Sequence, residues 1–207
     1  MKYILLTFIS VLIFLSCKNE SANKSLHSNT NEAPALDTTP DYFPIKVGMT
    51  REYSFHLVSA EKDLKGTAVM RVEGTERLNE KTYFKIVYAH SGMPGAESQV
   101  YYYRRAEEGY YLIEGNNRSF PEYLDVKLPL KAHDKWQANT PLGRVEYGVE
   151  GFQDVTALDK TFKDCAKLTM KSESISSDSY LAPGIGIVKQ VVHVKSIDGV
   201  IEYNLIK

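Results

Sequence analysis

Apolar and polar side chains alternate along most of the chain from residue 51 to its end. Tyr53, Phe55 and Leu57 form the first apolar row, and further rows occupy residues 68–72, 84–88, 145–149, 166–170 and 201–205. A period of two places successive side chains on opposite faces of a β-strand. No stretch keeps a helical apolar stripe over three turns. The pattern therefore predicts an all-β fold with little helix. We expect an antiparallel meander whose sheet is strongly curved and forms a half-barrel or an open barrel.

Turn-forming residues separate these rows. The turn signals include Lys65-Gly66, Asn79-Glu80, Glu107-Glu108-Gly109, Pro183-Gly184 and Asp198-Gly199. At Pro183-Gly184, the proline ring fixes the φ of Pro183, and Gly184 permits a positive φ. Gly186 is expected to leave room for a neighbouring backbone. We interpret this segment as a structural turn and not as part of an active site.

The amino terminus has the features of an export signal. After Met1 and Lys2, an apolar run continues to Ser16 and is followed by Cys17. About 14 residues at 1.5 Å each span roughly 21 Å, short of the roughly 30 Å hydrocarbon core of a membrane. The run resembles a bacterial lipobox, so residues 1–16 are predicted to be a lipoprotein signal peptide and Cys17 the lipidated residue. An ordinary secreted protein with a cysteine in its leader is the alternative.

Residues 17–40 are predicted to be the acylated cysteine and a flexible tether. The segment is rich in Asn, Ser, Thr, Lys and Glu and has no apolar face. Asp37-Thr38-Thr39 resembles a bacterial O-glycosylation acceptor, which makes Thr38 a candidate glycan site; a plain linker is the alternative. The remaining residues, 41–207, are predicted to form one β domain. The expected location is the cell envelope, lipid-anchored in the outer membrane, with its side undetermined.

Composition and motifs argue against several classes of function. The 25 basic and 26 acidic residues nearly cancel, which gives no support for nucleic-acid binding. The histidines are scattered, and the sequence lacks a Cys-x-x-Cys pair, a nucleophile elbow and a phosphate loop, so we expect no metal, cofactor or catalytic residue. A carboxylate pair for hydrolysis stays open as a third hypothesis. Cys165, which shares its strand parity with Lys167 and Lys171, is interpreted as a half-buried structural thiol on the more polar face.

One aromatic cluster has the potential to bind a ligand. Its members are Tyr101, Tyr102, Tyr103, Tyr110 and Tyr111, on two segments that flank the turn at Glu107-Glu108-Gly109. These segments should pair as a hairpin, with Tyr101 and Tyr103 on one face and Tyr102 on the other. The rings are candidates for lining a cavity or for presenting a platform to a sugar or lipid. Cross-strand packing of half-buried rings is the alternative.

Two further motifs carry a resemblance to a known group. Tyr42-Phe43-Pro44-Ile45-Lys46-Val47-Gly48 and the segment Ala182-Pro183-Gly184-Ile185-Gly186-Ile187-Val188-Lys189 resemble the opening and closing motifs of uncharacterised β-rich lipoproteins of Bacteroidota-like bacteria. Arg51 stands where that group often has tryptophan. Such domains resemble the open half-barrel of periplasmic lipoprotein carriers, a curved sheet whose concave side can be apolar. The resemblance implies no catalytic residues.

Three hypotheses about function follow from the sequence. The first is a non-enzymatic cell-envelope lipoprotein whose β half-barrel binds an apolar ligand, such as a lipid, or a partner protein of the envelope. The second is a glycan-binding surface lipoprotein that uses the Tyr101–Tyr111 hairpin. The third is a hydrolase. In each case the predicted membrane contact is the lipid anchor on Cys17.

Overall fold

The computed structural model of the chain describes residues 40–93 and 95–207. The predicted signal peptide, Cys17 and Thr38 lie outside the described residues. Twelve strands form one sheet, and a single turn of 3₁₀ helix, Lys195–Ile197, is the one helical element described. The strands are β1 Thr50–Val58, β2 Asp63–Leu78, β3 Lys81–Ser91, β4 Gln99–Ala106, β5 Gly109–Glu114, β6 Tyr123–Lys127, β7 Lys135–Thr140, β8 Gly143–Ala157, β9 Lys160–Lys171, β10 Ile175–Ala182, β11 Gly186–Val194 and β12 Gly199–Leu205. The described helix is far too short to cross a membrane.

The sheet is an antiparallel meander that curls into a nearly closed barrel. Its strand order is β6-β5-β4-β3-β2-β1-β12-β11-β10-β9-β8-β7, so each strand lies beside its sequence neighbours except at one place. The first and last strands pair, with Tyr53 opposite Leu205 and Leu57 opposite Ile201. The opening therefore lies in the middle of the chain, between β6 and β7. The predicted all-β class and curved antiparallel sheet are confirmed.

The predicted alternation identifies the inner face of the barrel. Tyr53, Phe55 and Leu57 are buried, whereas the intervening side chains of β1 are partly exposed. The largest core clusters join residues from strands that are distant in sheet order, such as Tyr110 of β5 and Leu181 of β10. Contacts of this kind require the two halves of the curved sheet to face each other. All these pairings lie within residues 40–207, which form one compact unit, so we expect a fragment of these residues to fold alone.

The segment before β1 covers one end of the barrel. The amide of Gly184 donates to the carbonyl of Asp41 at 2.7 Å, and the amide of Gly48 donates to the carbonyl of Val72 at 2.9 Å. Between these two anchors, the Phe43 ring lies 5.3 Å from Tyr103 and 5.1 Å from Tyr110. Because it contacts strands on both sides of the barrel, this segment closes that end, which we call the base.

One of the predicted turns is wrong. Lys65-Gly66 lies inside β2, where Gly66 is opposite Phe55. A β-carbon on Gly66 would lie 2.0 Å from the carbonyl oxygen of Ser91 and 2.7 Å from the Phe55 ring. The glycine therefore marks a close approach of two strands, a second common reason for glycine in β-structure.

Cys165 is fully buried and does not lie half-exposed on the polar face. It packs in an apolar cluster with Val155, Phe162 and Val188. The register between β8 and β9 shifts between Gln153 and Val155, and Asp164 has a φ of 52°. These irregularities form a bulge beside the cysteine, which explains why simple alternation misplaces it.

We expect Cys165→Ser to lower the free energy of unfolding by about 1–3 kcal/mol, since a hydroxyl replaces a thiol in an apolar cluster. Cys165→Ala, which adds no polar group, should cost less. Urea denaturation of the 40–207 fragment measures both changes. A serine variant as stable as wild type would contradict this placement of the thiol.

Gly184 has the left-handed backbone that the sequence predicts, with a φ of 71° and open space around its missing side chain. Gly184→Val should therefore destabilise the domain by about 1–3 kcal/mol through backbone strain alone. Gly184→Asn is the control, because asparagine tolerates this conformation better. Equal losses for the two variants would show that strain is not the cause.

Gly186 makes room for a side chain and not for a backbone, contrary to expectation. A β-carbon there would lie 2.7 Å from a guanidinium nitrogen of Arg51. The same guanidinium donates weakly to the carbonyl of Pro44, at 3.4 Å. Arg51 therefore lies at the base of the barrel and contacts the covering segment.

Candidate functional site

The predicted hairpin exists, and it divides its tyrosines between two faces. Tyr103 is opposite Leu112 and Tyr102 is opposite Ile113. Tyr101, Tyr103 and Tyr110 share the inner face, whereas Tyr102 and Tyr111 share the outer one, as the alternation requires. Tyr102 and Tyr110 are buried, and the other three rings are partly exposed.

On the outer face, the rings are covered by charged side chains. The Arg118 guanidinium lies 4.7 Å from the centre of the Tyr102 ring, and that of Arg104 lies 4.8 Å from the centre of the Tyr111 ring. Glu122 accepts hydrogen bonds from Arg104 at 2.9 Å and from Tyr83 at 2.6 Å. Burial alone would raise the pKa of Glu122, but these hydrogen bonds lower it to about 2. The outer face is thus an ion-paired surface and not an open aromatic platform.

On the inner face, tyrosines surround the carboxylate of Asp125. The Tyr103 hydroxyl donates to Asp125 Oδ2 at 2.7 Å, and Tyr147 lies close enough to influence the pKa of this carboxylate. Nearby, the Tyr123 hydroxyl donates to Glu114 Oε1 at 3.1 Å. The Tyr88 ring lies 5.6 Å from that of Tyr101, edge to face. We call this group the inner tyrosine cluster: Tyr88, Tyr101, Tyr103, Tyr123, Tyr147, Asp125 and Glu114.

A bulge aims Asp125 inward. Tyr110 pairs with Val126 and Tyr111 pairs with Leu124, so Asp125 is the extra residue of β6. Such bulges often re-aim a side chain next to a functional site. Sequence analysis missed Asp125, because β6 is only five residues long and shows no clear alternation.

The inner tyrosine cluster lies on the concave face of the curved sheet, and most of its side chains stay partly exposed. Desolvation raises the pKa values of Tyr88, Tyr101, Tyr103 and Tyr147, so protein surrounds these hydroxyls. The same side chains nevertheless keep water-accessible surface. These side chains therefore present partly exposed hydroxyls on the concave face of the sheet.

Burial also changes the acidity of the carboxylates. It raises the pKa of Asp125 from 3.8 to about 6, against the lowering effect of the hydroxyls of Tyr103 and Tyr147, and the charge of Glu114 raises it further. Burial likewise raises the pKa of Glu114 despite its bond to Tyr123. Asp125 is thus held as a costly charge at neutral pH, and burial disfavours the charged form of Glu114 in the same way.

Because this charge is costly, we expect Asp125→Asn to raise the free energy of unfolding by an amount that depends on pH. The folded pKa exceeds the ordinary value, so the folded state binds the proton more tightly, and wild-type stability falls as the pH rises through about 6. At 1.36 kcal/mol per pKa unit, the variant should be more stable than wild type by up to about 3 kcal/mol at pH 8. The gain should vanish near pH 4. Urea denaturation at both pH values measures it, and a gain independent of pH would contradict the assignment.

The opening of the barrel lies beside the cluster. No ladder of hydrogen bonds joins β6 to β7, but Trp136 Nε1 donates to the carbonyl of Leu124 at 3.3 Å. The Trp136 ring stacks on Tyr147 at 5.4 Å with an angle of 4°. An outer groove of about 340 Å³ follows this seam, and Tyr123 is among the residues that line it. Trp136 therefore links the two edge strands next to Asp125.

Among the described residues, no three or more His, Cys, Asp or Glu side chains form a group that could hold a metal ion. The carboxylates of the inner tyrosine cluster are surrounded by tyrosine hydroxyls instead. Phenol hydroxyls are hydrogen-bond donors and acceptors that suit an organic ligand.

Comparisons with known proteins yield similar structures only. No protein-family model and no curated protein matches the sequence. One similar structure is a candidate exported protein of Bacteroides fragilis with a YmcC-like fold, at 16% identity and a TM-score of 0.42, covering 80% of this chain and 97% of that one. Another is a candidate lipoprotein of Parabacteroides distasonis, at 14% identity and a TM-score of 0.41, covering 82% of this chain and 98% of that one. Similarity at this level carries no conclusion about activity or ligand.

Proposed function

We propose that this chain is a cell-envelope lipoprotein that binds one amphiphilic ligand inside its barrel and catalyses no reaction. The observation that carries the proposal is the inner tyrosine cluster, whose partly exposed polar groups converge on the concave face of the barrel. A concave surface that combines apolar side chains with a few convergent polar groups is the usual form of a small-molecule site.

The two kinds of surface inside the barrel fit the two parts of an amphiphile. The apolar surface comes from partly exposed side chains that pack against the core cluster of β1, β2 and β3, among them Ile187 and Tyr203. The polar end is formed by Asp125 and Glu114 with their tyrosines. Of the two binding partners that the sequence left open, an apolar ligand or a partner protein, we therefore propose the ligand, and we propose that it also has a polar group.

The predicted anchor supports an envelope role. Acylation of Cys17 would attach the protein to a membrane, and about 0.8 kcal/mol per buried methylene makes several acyl chains a durable anchor. Residues 17–40 would then connect the membrane to the base of the barrel, where the segment that begins at Asp41 packs. We propose the outer membrane as the anchoring membrane.

Trp136 offers a direct test, because it is the only tryptophan of the chain and lies on Tyr147. We expect a dodecyl maltoside with a brominated chain to quench the fluorescence of the 40–207 fragment saturably, below its micelle concentration. The unbrominated molecule should not quench and should compete. Quenching that rises linearly without saturation, or that the competitor does not relieve, would contradict binding inside the barrel.

A further inference from the structure

We propose that the base of the barrel docks on the phospholipid bilayer that holds the anchor, with four exposed apolar side chains in the bilayer interface. We call these side chains the base apolar surface: Val47, Phe152, Leu158 and Ile206. This docking rests on the anchor of the proposed function, to which it adds the surface that the barrel turns toward the membrane. It needs no ligand inside the barrel.

Two of these side chains lie on or against the segment that covers the base. Val47 belongs to that segment, and the Phe152 ring of β8 lies 5.7 Å from the ring of Tyr42. Tyr42 follows Asp41, whose carbonyl accepts the hydrogen bond from the Gly184 amide. Val47 and Phe152 therefore lie close to the point where the chain enters the described domain.

The other two side chains lie on elements that pack beside this point. Leu158 is in the turn between β8 and β9, and Phe162 of that hairpin packs in one cluster with Ile185 and Leu205. Ile185 lies in the turn between β10 and β11, the turn that binds the covering segment. Ile206 directly follows Leu205 at the end of β12. The four side chains thus belong to elements that meet at the base.

Two of the four residues occupy turns, where Gly, Pro, Asn, Asp and Ser dominate. Val47 is the second residue of a turn that is closed by the bond from the Met49 amide to the Lys46 carbonyl, at 3.0 Å. Leu158 has a φ of 54°, a left-handed conformation that is strained for a bulky side chain. Val47 is 56% exposed and Leu158 is 57% exposed, so packing explains neither. Strained residues cluster at functional sites.

The proposed anchor identifies the bilayer as the partner of this surface. About 23 residues separate Cys17 from Asp41, and as a random coil they would reach roughly 25–30 Å. The barrel is therefore held near the bilayer at a high effective concentration. Under this restraint, even a modest gain from the burial of four apolar side chains is enough to keep the base in the bilayer interface.

Spin labels on the full-length, acylated protein test the docking. The labels are attached to Val47→Cys, Ile206→Cys or Val58→Cys, and the protein is bound to vesicles of phosphatidylethanolamine and phosphatidylglycerol. Val58 is the matched control, because it is 46% exposed at the opposite end of β1. Relative to the 40–207 fragment in solution, a water-soluble nickel complex should collide about threefold or more less often with the labels at 47 and 206, and equally often with the label at 58.

The outcomes separate the docking from the anchor. Every labelled variant also carries Cys165→Ala and keeps Cys17 for acylation. Equal access of the nickel complex to all three labels in the vesicle-bound protein would overturn the docking and leave the anchor intact. Full-length protein that does not float with the vesicles would overturn the anchor as well.

The variant Leu158→Asn separates docking from folding, because asparagine tolerates a positive φ better than leucine. It should leave the urea midpoint of the 40–207 fragment unchanged or raise it. In the vesicle-bound protein, it should raise the access of the nickel complex to a label at Val47→Cys by about twofold or more. A lower urea midpoint would show that Leu158 serves the fold and would remove it from the base apolar surface.

Leu142→Asn is the matched control for this variant. Leu142 is also an exposed leucine in a hairpin turn, the one that joins β7 to β8 at the opposite end of the barrel. The control should leave the access of the nickel complex to the label at Val47→Cys unchanged. Equal effects of the two asparagine variants on that label would overturn the base apolar surface.

Discussion

Gly66→Val is expected to destabilise the barrel by more than about 3 kcal/mol, because no room exists for even the first carbon of a side chain. That carbon would lie 2.0 Å from the Ser91 carbonyl oxygen, an atom of the β3 backbone that cannot rotate away. The Phe55 ring closes the other side at 2.7 Å. Urea denaturation of the 40–207 fragment measures the loss.

Gly74→Val on the same strand is the matched control. A β-carbon there meets nothing within 4 Å, and its φ requires no glycine. Its stability should stay within about 0.5 kcal/mol of wild type. If both variants lose the same amount of stability, the loss comes from replacing a glycine of β2 by valine in general. It would then not come from the contact with β3 and Phe55.

Trp136→Ala is expected to cost about 2–4 kcal/mol and to loosen the seam between β6 and β7. The substitution removes both the stack on Tyr147 and the hydrogen bond to the Leu124 carbonyl. Denaturation measures the stability, and amide hydrogen exchange of β6 and β7 measures the loosening.

Trp136→Phe keeps an aromatic ring and loses the donor, so it should cost about 1 kcal/mol. Faster exchange confined to β6 and β7 is expected for the alanine variant. If exchange accelerates equally in β1 and β12, the variant weakens the whole barrel, and Trp136 has no special role at the seam.

The sequence predicts the strands well because a strand buried on one face must alternate. Tyr53, Phe55 and Leu57 lie on the inner face as expected, and the Tyr101–Tyr111 hairpin exists with its tyrosines divided between two faces as predicted. The closure of the barrel was not predicted. It depends on pairing between β1 and β12, which are about as far apart in sequence as two strands of this domain can be.

Bulges account for the residues that sequence reasoning misplaced or missed. One bulge puts Asp125 on the inner face together with Val126, and irregularities in β8 and β9 bury Cys165. A bulge shifts the parity of every later residue on its strand, and one sequence contains no reliable sign of it. The site at Asp125 also needs Tyr147, which only the curl of the sheet brings close.

Native mass spectrometry of the full-length protein, extracted from its own envelope, tests the central claim most directly. A barrel that binds one amphiphile predicts one additional mass of a few hundred daltons per chain, present under native conditions and lost on denaturation. The acyl groups on Cys17 would remain in both spectra and so be distinguished from the ligand. Identical masses under native and denaturing conditions, for a protein that is folded and fully extracted, would contradict the account.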